Sequence, residues 1–415
     1  MAVPRSILPR GRLRAGAKNL ALSLGALVVL LAASELIVRA YYYPENLGTV
    51  IRFDPELGWS LRPDTRLRSV DYQRDLDFRI EINSLGIRER EIELSREKHG
   101  KRILFLGDSV AFGEGVEQAW RLSDFLGRAL GNDAEVINAG VPGWGNDQEL
   151  IYLESRGWLF EPDVVVLTLT MANDVINNML DHLFLASAPK PRFVLAGDSL
   201  RLTDTDFDAP SPPGSARWRD ALKKSRLLLF VKRRLDRVRY SRMAKRSVPR
   251  LHRGFTKKSL EANYSHWSVY QRAYGPELEG AWRVTEAIVR RMAARCEVMG
   301  AELVVFGLPA RVEVDDAWRR DMIHRSGISA GLLDMRRPYA RLGAFCRQND
   351  IAFLYPLAEF KNGLERRYLY FEHDNHPNRF GHALAARVLA EELKKRYGMQ
   401  FHFVDADLAD PGVLH

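Results

Sequence analysis

With 415 residues, 46% hydrophobic and 10% aromatic, the chain has the apolar mass for at least one full core, which argues for a folded protein against a disordered one. The formal charge of +9 is local: residues 221–260 hold fifteen Lys or Arg against Asp236 alone, a net +14 that leaves the rest of the chain at −5. Charge so confined argues against nucleic-acid binding along a folded face, and two cysteines, Cys296 and Cys346, exclude a disulfide framework while permitting one bridge.

Arg5, Arg10, Arg12, Arg14 and Lys18 precede an apolar run from Leu20 to Ala33, which resumes after Ser34 and Glu35 as Leu36, Ile37 and Val38. A helix over 19–38 would be about 30 Å long, one hydrocarbon core. Residues 19–40 are therefore predicted to be a single transmembrane signal anchor behind a basic cytoplasmic tail, residues 1–18. Glu35 then falls near the far interface, and Tyr41, Tyr42 and Tyr43 follow as an interfacial aromatic belt. The basic flank stays cytoplasmic, which puts the remainder of the chain outside. A cleaved signal peptide is the alternative, because the uninterrupted apolar stretch is short; the lack of a clean A-x-A site favours the anchor.

Residues 41–100 read as a β-rich prelude packed on the main domain. Pro44, Pro55, Gly58 and Pro63 punctuate it, and Phe78, Ile80 and Ile82 alternate with polar residues. A repeated cadence then begins. Strands are predicted at Arg102–Leu106, Glu135–Asn138, Val164–Leu169, Glu302–Gly307 and Ile351–Tyr355. Helices are predicted at Leu122–Leu130, Gln148–Arg156, Leu278–Met299, Asp334–Gln348 and Arg379–Lys395. Apolar strands alternating with helices are the pattern of a parallel sheet covered on both faces, a three-layer α/β domain over 101–400 with a tail at 401–415. An insertion at about 176–275 interrupts the cadence, and Pro189, Pro191 and Pro210 suggest that 176–214 forms a lid or lip on the active-site side. Within 221–258, Leu227, Phe230, Val231, Leu235 and Val238 lie between Lys232, Arg233, Arg234 and Arg237. That segment reads either as an amphipathic helix on anionic lipid or as a solvated face.

Ligands of such sheets bind beyond the carboxyl ends of the strands. The first strand ends in Gly107-Asp108-Ser109, where a serine at a helix start can expose its hydroxyl and offer its own N–H. The second ends at Asn138, with Gly140 and Gly143 following, and the third runs into Asn173-Asp174. The Ser109 amide, a bare N–H of Gly143 and the side-chain amide of Asn173 would make an oxyanion hole. Near the C-terminus, Asp374-Asn375-His376-Pro377 precedes the last helix, with Asn378 as its N-cap. His376 could take the Ser109 proton while Asp374 holds its tautomer. Each motif alone has a plainer reading: a turn, a helix cap, a surface loop. The Gly-x-Ser-x-Gly elbow is absent, since residues 107–111 read Gly-Asp-Ser-Val-Ala.

Four blocks in order, Gly107-Asp108-Ser109, Asn138 to Gly143, Asn173-Asp174 and Asp374 to Pro377, closely resemble the markers of the SGNH or GDSL hydrolase superfamily. The resemblance covers about 100–175 and 275–396. It implies a flavodoxin-like domain in which Ser109 is nucleophile and His376 the base oriented by Asp374. It further implies that the Ser109 amide, Gly143 and Asn173 are oxyanion donors, with Gly107, Asp108 and Asn138 structural near the site. Members hydrolyse carboxylic esters or transfer acyl groups; no cofactor is expected, and no metal is assigned because neither cysteine has a Cys or His partner at metal-ligand spacing. The anchor and prelude resemble a bacterial branch associated with envelope or exopolysaccharide, which implies an inner-membrane protein with its catalytic domain in the periplasm or exterior, acting on an acylated small molecule or glycan. One departure stands out: the commoner family spacing would put the acid at residue 373, which here is His373.

Three functions follow from these residues. They are an esterase working through an acyl-serine, an O-acyltransferase using the same intermediate, and a catalytically silent glycan-binding envelope protein. Of the histidines in the last loop, His376 is expected to be the base and His382 to pack within the final helix.

Overall fold

The computed structural model describes residues 10–41, 47–71, 74, 76–94, 100–182, 189–197, 199–203, 225, 227, 228, 230, 231, 267–365, 367–372 and 374–403. The chain divides into two units, residues 1–44 with 211–245 and residues 45–210 with 246–415.

In the first unit, helix α1 (Arg10–Tyr41) contains a stretch, Ala21–Arg39, long and apolar enough to cross a membrane. Glu35, the one acid of that stretch, accepts hydrogen bonds from Arg39 Nε (2.8 Å), Ser225 Oγ (2.7 Å) and the amide of Leu227 (3.0 Å). An unpaired carboxylate in an apolar stretch would be costly, and these donors satisfy it. Most of the basic segment 221–258, including Lys232, Arg233, Arg234 and Arg237, lies outside the described residues, as do Tyr42 and Tyr43.

The second unit begins with two hairpins, β1 (Ile51–Asp54) with β2 (Gly58–Leu61), and β3 (Thr65–Asp71) with β4 (Leu76–Ile82). Along β4 every second residue, Leu76, Phe78, Ile80 and Ile82, is buried. Then come β5 (Lys101–Leu106), α2 (Ser109–Phe112), α3 (Leu122–Leu130), β6 (Ala134–Asn138), α4 (Asn146–Ser155), β7 (Val164–Leu169) and α5 (Met171–Asn177). A small hairpin, β8 (Phe193–Ala196) with β9 (Ser199–Leu202), precedes α6 (Pro276–Val298) and β10 (Glu302–Gly307). The chain ends through α7 (Arg311–Val314), α8 (Asp316–Ser326), α9 (Arg337–Gln348), β11 (Ala352–Leu354), α10 (Leu357–Leu364) and α11 (Arg379–Tyr397).

Five parallel strands pair in the order β6-β5-β7-β10-β11. Their alternate residues feed two cores. Leu104, Leu106, Val165, Leu167 and Val305 pack with Leu150 of α4, Trp282 and Ile288 of α6, and Leu342 of α9. Ile103, Phe105, Val164, Val166, Val304 and Phe306 pack with Phe125 of α3 and Leu389 and Leu393 of α11. This is the three-layer α/β architecture expected from the fully apolar strands, because side chains of period two must be covered on both faces. The strand order is the flavodoxin type, whose crevice opens between the first and third strands, here β5 and β7.

Two local differences have physical causes. The helix expected from Asp334 starts at Arg337, because the Asp334 carboxylate accepts the Arg336 amide (3.1 Å) and its own amide is held by the Tyr270 carbonyl (2.6 Å). The described part of 176–214 is not a lip over the site. Lys190 buries its ammonium on Asp147 of α4, Phe193 enters the core, and of the described residues of this stretch only Asn177 lines the cavity into which Ser109 opens. A buried ion pair is too costly to form unless both charges meet, so Lys190 fixes this strand of chain to α4. Cys296 and Cys346 are buried free thiols, both pushed up to about 12 by burial.

Candidate active site

The site lies at the β5–β7 crevice. Gly107 ends β5 where a Cβ would stand 2.8 Å from the Ala111 side chain and 3.0 Å from the Thr168 carbonyl, so glycine is what the close approach of strand and helix requires. Asp108 then caps the short helix α2: its carboxylate accepts the Val110 amide (2.8 Å) and the Asn173 side-chain amide (2.8 Å). That cap places Ser109 at the first helical position with its hydroxyl turned into the crevice. Burial raises the Asp108 carboxyl above its ordinary value, against the lowering effect of those two donors.

Ser109 Oγ lies 2.8 Å from His376 Nε2. The other ring nitrogen, Nδ1, is hydrogen-bonded to Asp374 Oδ1, which also accepts the His376 amide at 2.8 Å. The structure thus brings three residues, 267 positions apart at the extremes, into one hydrogen-bonded chain. A carboxylate on Nδ1 selects the tautomer whose Nε2 lone pair faces the serine. The loop is stiff for identifiable reasons. Asn378 caps α11 through the Phe380 amide (2.9 Å) and donates to the Tyr368 (2.9 Å) and Tyr370 (3.1 Å) carbonyls, and Arg311 donates to those of Phe371 and Glu372, each at 3.0 Å. His373 lies outside the described residues. His382 is buried on α11 with Nδ1 accepting the Leu122 amide (3.2 Å), and burial lowers it to about 3, a neutral packed histidine.

Burial works against the His376 imidazolium, but its hydrogen bond to Asp374 and the charges of Glu114, Asp374 and Asp108 outweigh it, and His376 is pushed up to about 9. Burial likewise opposes the Asp374 carboxylate, yet the His376 hydrogen bond and the charges of His376 and Arg74 hold it well below the usual range.

Ser109, Gly143 and Asn173 line one cavity of about 400 Å3 together with Asp374 and His376. Gly143 adopts φ +81° in the turn after β6, a left-handed conformation that glycine supplies without strain. Asn173 sits in the first turn of α5, where Thr170 rather than Asn173 is the cap residue and the Asp174 carboxylate accepts the Thr170 amide (2.7 Å). Asn138 ties β6 to the serine's helix by donating to the Ala111 carbonyl (2.6 Å) and Ser123 Oγ (2.8 Å) while accepting the Gly140 amide (2.9 Å).

Several contributors are not visible in the sequence. Trp59 of β2 donates to the Pro142 carbonyl (3.1 Å) and its own carbonyl accepts from Trp144 (3.0 Å), which holds the Gly143 turn. Arg88, fully buried, donates to the carbonyls of Phe112 (3.1 Å), Gly113 and Val116 (both 2.8 Å) and so fixes the loop after α2. Glu114 of that loop stands 3.9 Å from His376 Nε2, and Arg74 bonds both Glu114 and Asp374. The far wall of the cavity is apolar: Trp267, Leu308, Pro309, Val312, Trp318 and Met322.

The chain is therefore an α/β protein carrying a hydrogen-bonded serine–histidine–aspartate group at the switch point of a parallel sheet. No family model and no curated protein matches it. Similar solved structures include a variant of an acetyl xylan esterase from Geobacillus stearothermophilus, at 13% identity over 73% of this chain and 97% of that one, with TM-score 0.35. A GDSL-like lipase from Bacteroides thetaiotaomicron is similar at 14% identity over 71% of this chain and 88% of that one, with TM-score 0.32. At these values the likeness carries no weight for function, which rests on the geometry above.

Proposed function

We propose that the protein is a serine ester hydrolase of the SGNH type, with Ser109 as nucleophile, His376 as general base and Asp374 as its orienting acid. The observation that carries this reading is the Ser109–His376–Asp374 chain opening on a cavity shared by Gly143 and Asn173. Ser109 Oγ attacks the acyl carbonyl carbon as His376 Nε2 takes its proton. The negative oxygen of the tetrahedral adduct is met by the Ser109 and Gly143 amides and the free N–H of Asn173. The proton passes to the leaving alkoxide, the acyl group stays on Ser109, and water, deprotonated by His376, releases the acid. Asp374 remains ionised throughout. The natural ester is read as an O-acyl group, O-acetyl among the candidates, on an envelope or exopolysaccharide glycan. The basic flank of α1 supports an inner-membrane protein whose catalytic domain faces the periplasm or cell exterior.

Purified full-length protein in detergent is expected to hydrolyse aryl esters without a sugar acceptor; turnover only when acceptor is added would instead identify an acyltransferase. No turnover and no labelling by a serine-directed phosphonate would favour the glycan-binding reading. Because the base must be neutral to accept a proton, kcat/KM is expected to be low at neutral pH and to rise with a midpoint well above that of free imidazole, toward about 9. A midpoint at or below 6.5 would sink this assignment of the charges around His376.

The apolar wall supports a chain-length preference. Each methylene moved from water onto Trp267, Trp318 and Met322 is worth about 0.8 kcal/mol when fully buried, close to fourfold in kcat/KM. Butanoyl and hexanoyl aryl esters are expected to be turned over faster than the acetyl ester at equal concentration, and Trp318→Ala is expected to flatten the series. A series that falls from acetyl onward would place the acyl group away from this wall.

A further inference from the structure

We propose that Arg74 is a positioning residue of this site: its guanidinium joins Asp374 to Glu114 and so fixes the acid behind the base and balances the charge that His376 meets. Its kinetic part rests on the hydrolase reading; its electrostatic part does not.

Arg74 lies between β3 and β4, and each nitrogen of its guanidinium reaches a different carboxylate. Nε meets Asp71 at 3.0 Å, Nη1 meets Asp374 Oδ2 at 3.1 Å, and Nη2 meets Glu114 Oε1. The Asp71 contact is local to the hairpin. The other two cross 300 and 40 positions of chain to the acid and to the loop after α2. Asp374 thus has Oδ1 turned to His376 and Oδ2 turned to Arg74, and it cannot rotate away without breaking one of them. The planar fork of an arginine can make both bonds at once, whereas an ammonium on a flexible stem cannot hold that geometry.

Charge gives Arg74 a second role. Glu114 and Asp374 are each only 7% exposed at the side chain, and Glu114 Oε2 is 3.9 Å from His376 Nε2. Two poorly solvated carboxylates facing one imidazole both favour its protonated form and so raise the pH at which it becomes a base. Arg74 offsets one of them. Among the described residues, Asp108 of the β5–α2 turn also acts on His376, His382 of α11 faces it as a neutral ring, and Arg311, paired with Asp315, holds the loop that carries it.

The test titrates His376 directly, by the imidazole carbon signals of full-length protein labelled with 13C-histidine in detergent, beside kcat/KM against pH. Arg74→Gln is expected to raise the His376 midpoint by about one unit or more, and Glu114→Gln to lower it by a similar amount, because they remove charges of opposite sign. Arg74→Gln is also expected to lower plateau kcat about tenfold at unchanged KM, and Arg74→Lys to restore the midpoint but not the plateau. Midpoints that stay in place, or that move the same way in both variants, overturn the proposal whatever happens to the rate, since mere support of the hairpin predicts neither shift. Should Arg74→Gln fail to fold, an unmoved midpoint in Glu114→Gln is enough to overturn it. If the wild-type protein hydrolyses nothing, the function reading fails, while the two midpoints still decide the role of Arg74.

Discussion

His376→Ala is expected to lower kcat by at least about a thousandfold, because nucleophile activation and proton delivery to the leaving group are lost in one change. The 2.8 Å contact to Ser109 Oγ makes His376 the one described histidine within reach of the serine. Asp374→Asn is expected to be damaging but milder. The base stays in place, but an amide that donates to Nδ1 favours the tautomer that presents a proton to Ser109. His382→Ala is expected to stay within about tenfold in kcat per folded molecule, although it leaves the Leu122 amide without an acceptor and should cost about 1–3 kcal/mol of stability. His373→Ala is likewise expected to stay within about tenfold. Rates on one activated ester, with circular dichroism to count folded protein, separate these variants. A folded His376→Ala enzyme with near-normal turnover beside a dead His373→Ala would mean that a different loop conformation is the active one.

Much of the sheet was legible because its signal is local. A strand such as Val164–Leu169 is apolar at every position but Thr168, and all six residues are buried, so composition alone marks a strand covered on both faces. The strand-end residues were legible by a topological rule, since Ser109 and Asn173 follow β5 and β7, the two strands that flank the crevice. Arg74 and Glu114 were not. Both look like ordinary hairpin and loop charges, and their meeting with Asp374 depends on how the prelude packs against a loop 300 residues later. The cavity wall was hidden for another reason. Helix α8 has no fully buried residue, so it lacks the apolar stripe by which a core helix is recognised, and its Trp318 and Met322 line the cavity. The prelude itself had signatures of strand and turn, but nothing in them marks Trp59 and Arg88 as the residues that pin the Gly143 turn and the loop after α2.

Ser109→Ala is expected to remove at least about 10^4-fold of kcat, since among the described residues no other hydroxyl is hydrogen-bonded to His376 Nε2 and the acyl-enzyme route closes. Activity alone would not separate this loss from a disturbed site, so the variant is paired with Asn173→Ala and a serine-directed fluorophosphonate. Asn173 touches Asp108 at 2.8 Å and lines the same cavity, and its removal deprives the developing oxyanion of one donor. That change is expected to cost about 10²–10³ in kcat, by analogy with other oxyanion donors. Phosphonylation passes through a similar negative oxygen, so Asn173→Ala should be labelled slowly but to completion, with the adduct on Ser109 by peptide mass. Ser109→Ala should take no label at all. Label appearing on the Ser109→Ala protein would move the nucleophile elsewhere in the chain. Full-rate labelling of Asn173→Ala would remove its amide from the oxyanion hole, leaving that task to the Ser109 and Gly143 backbone.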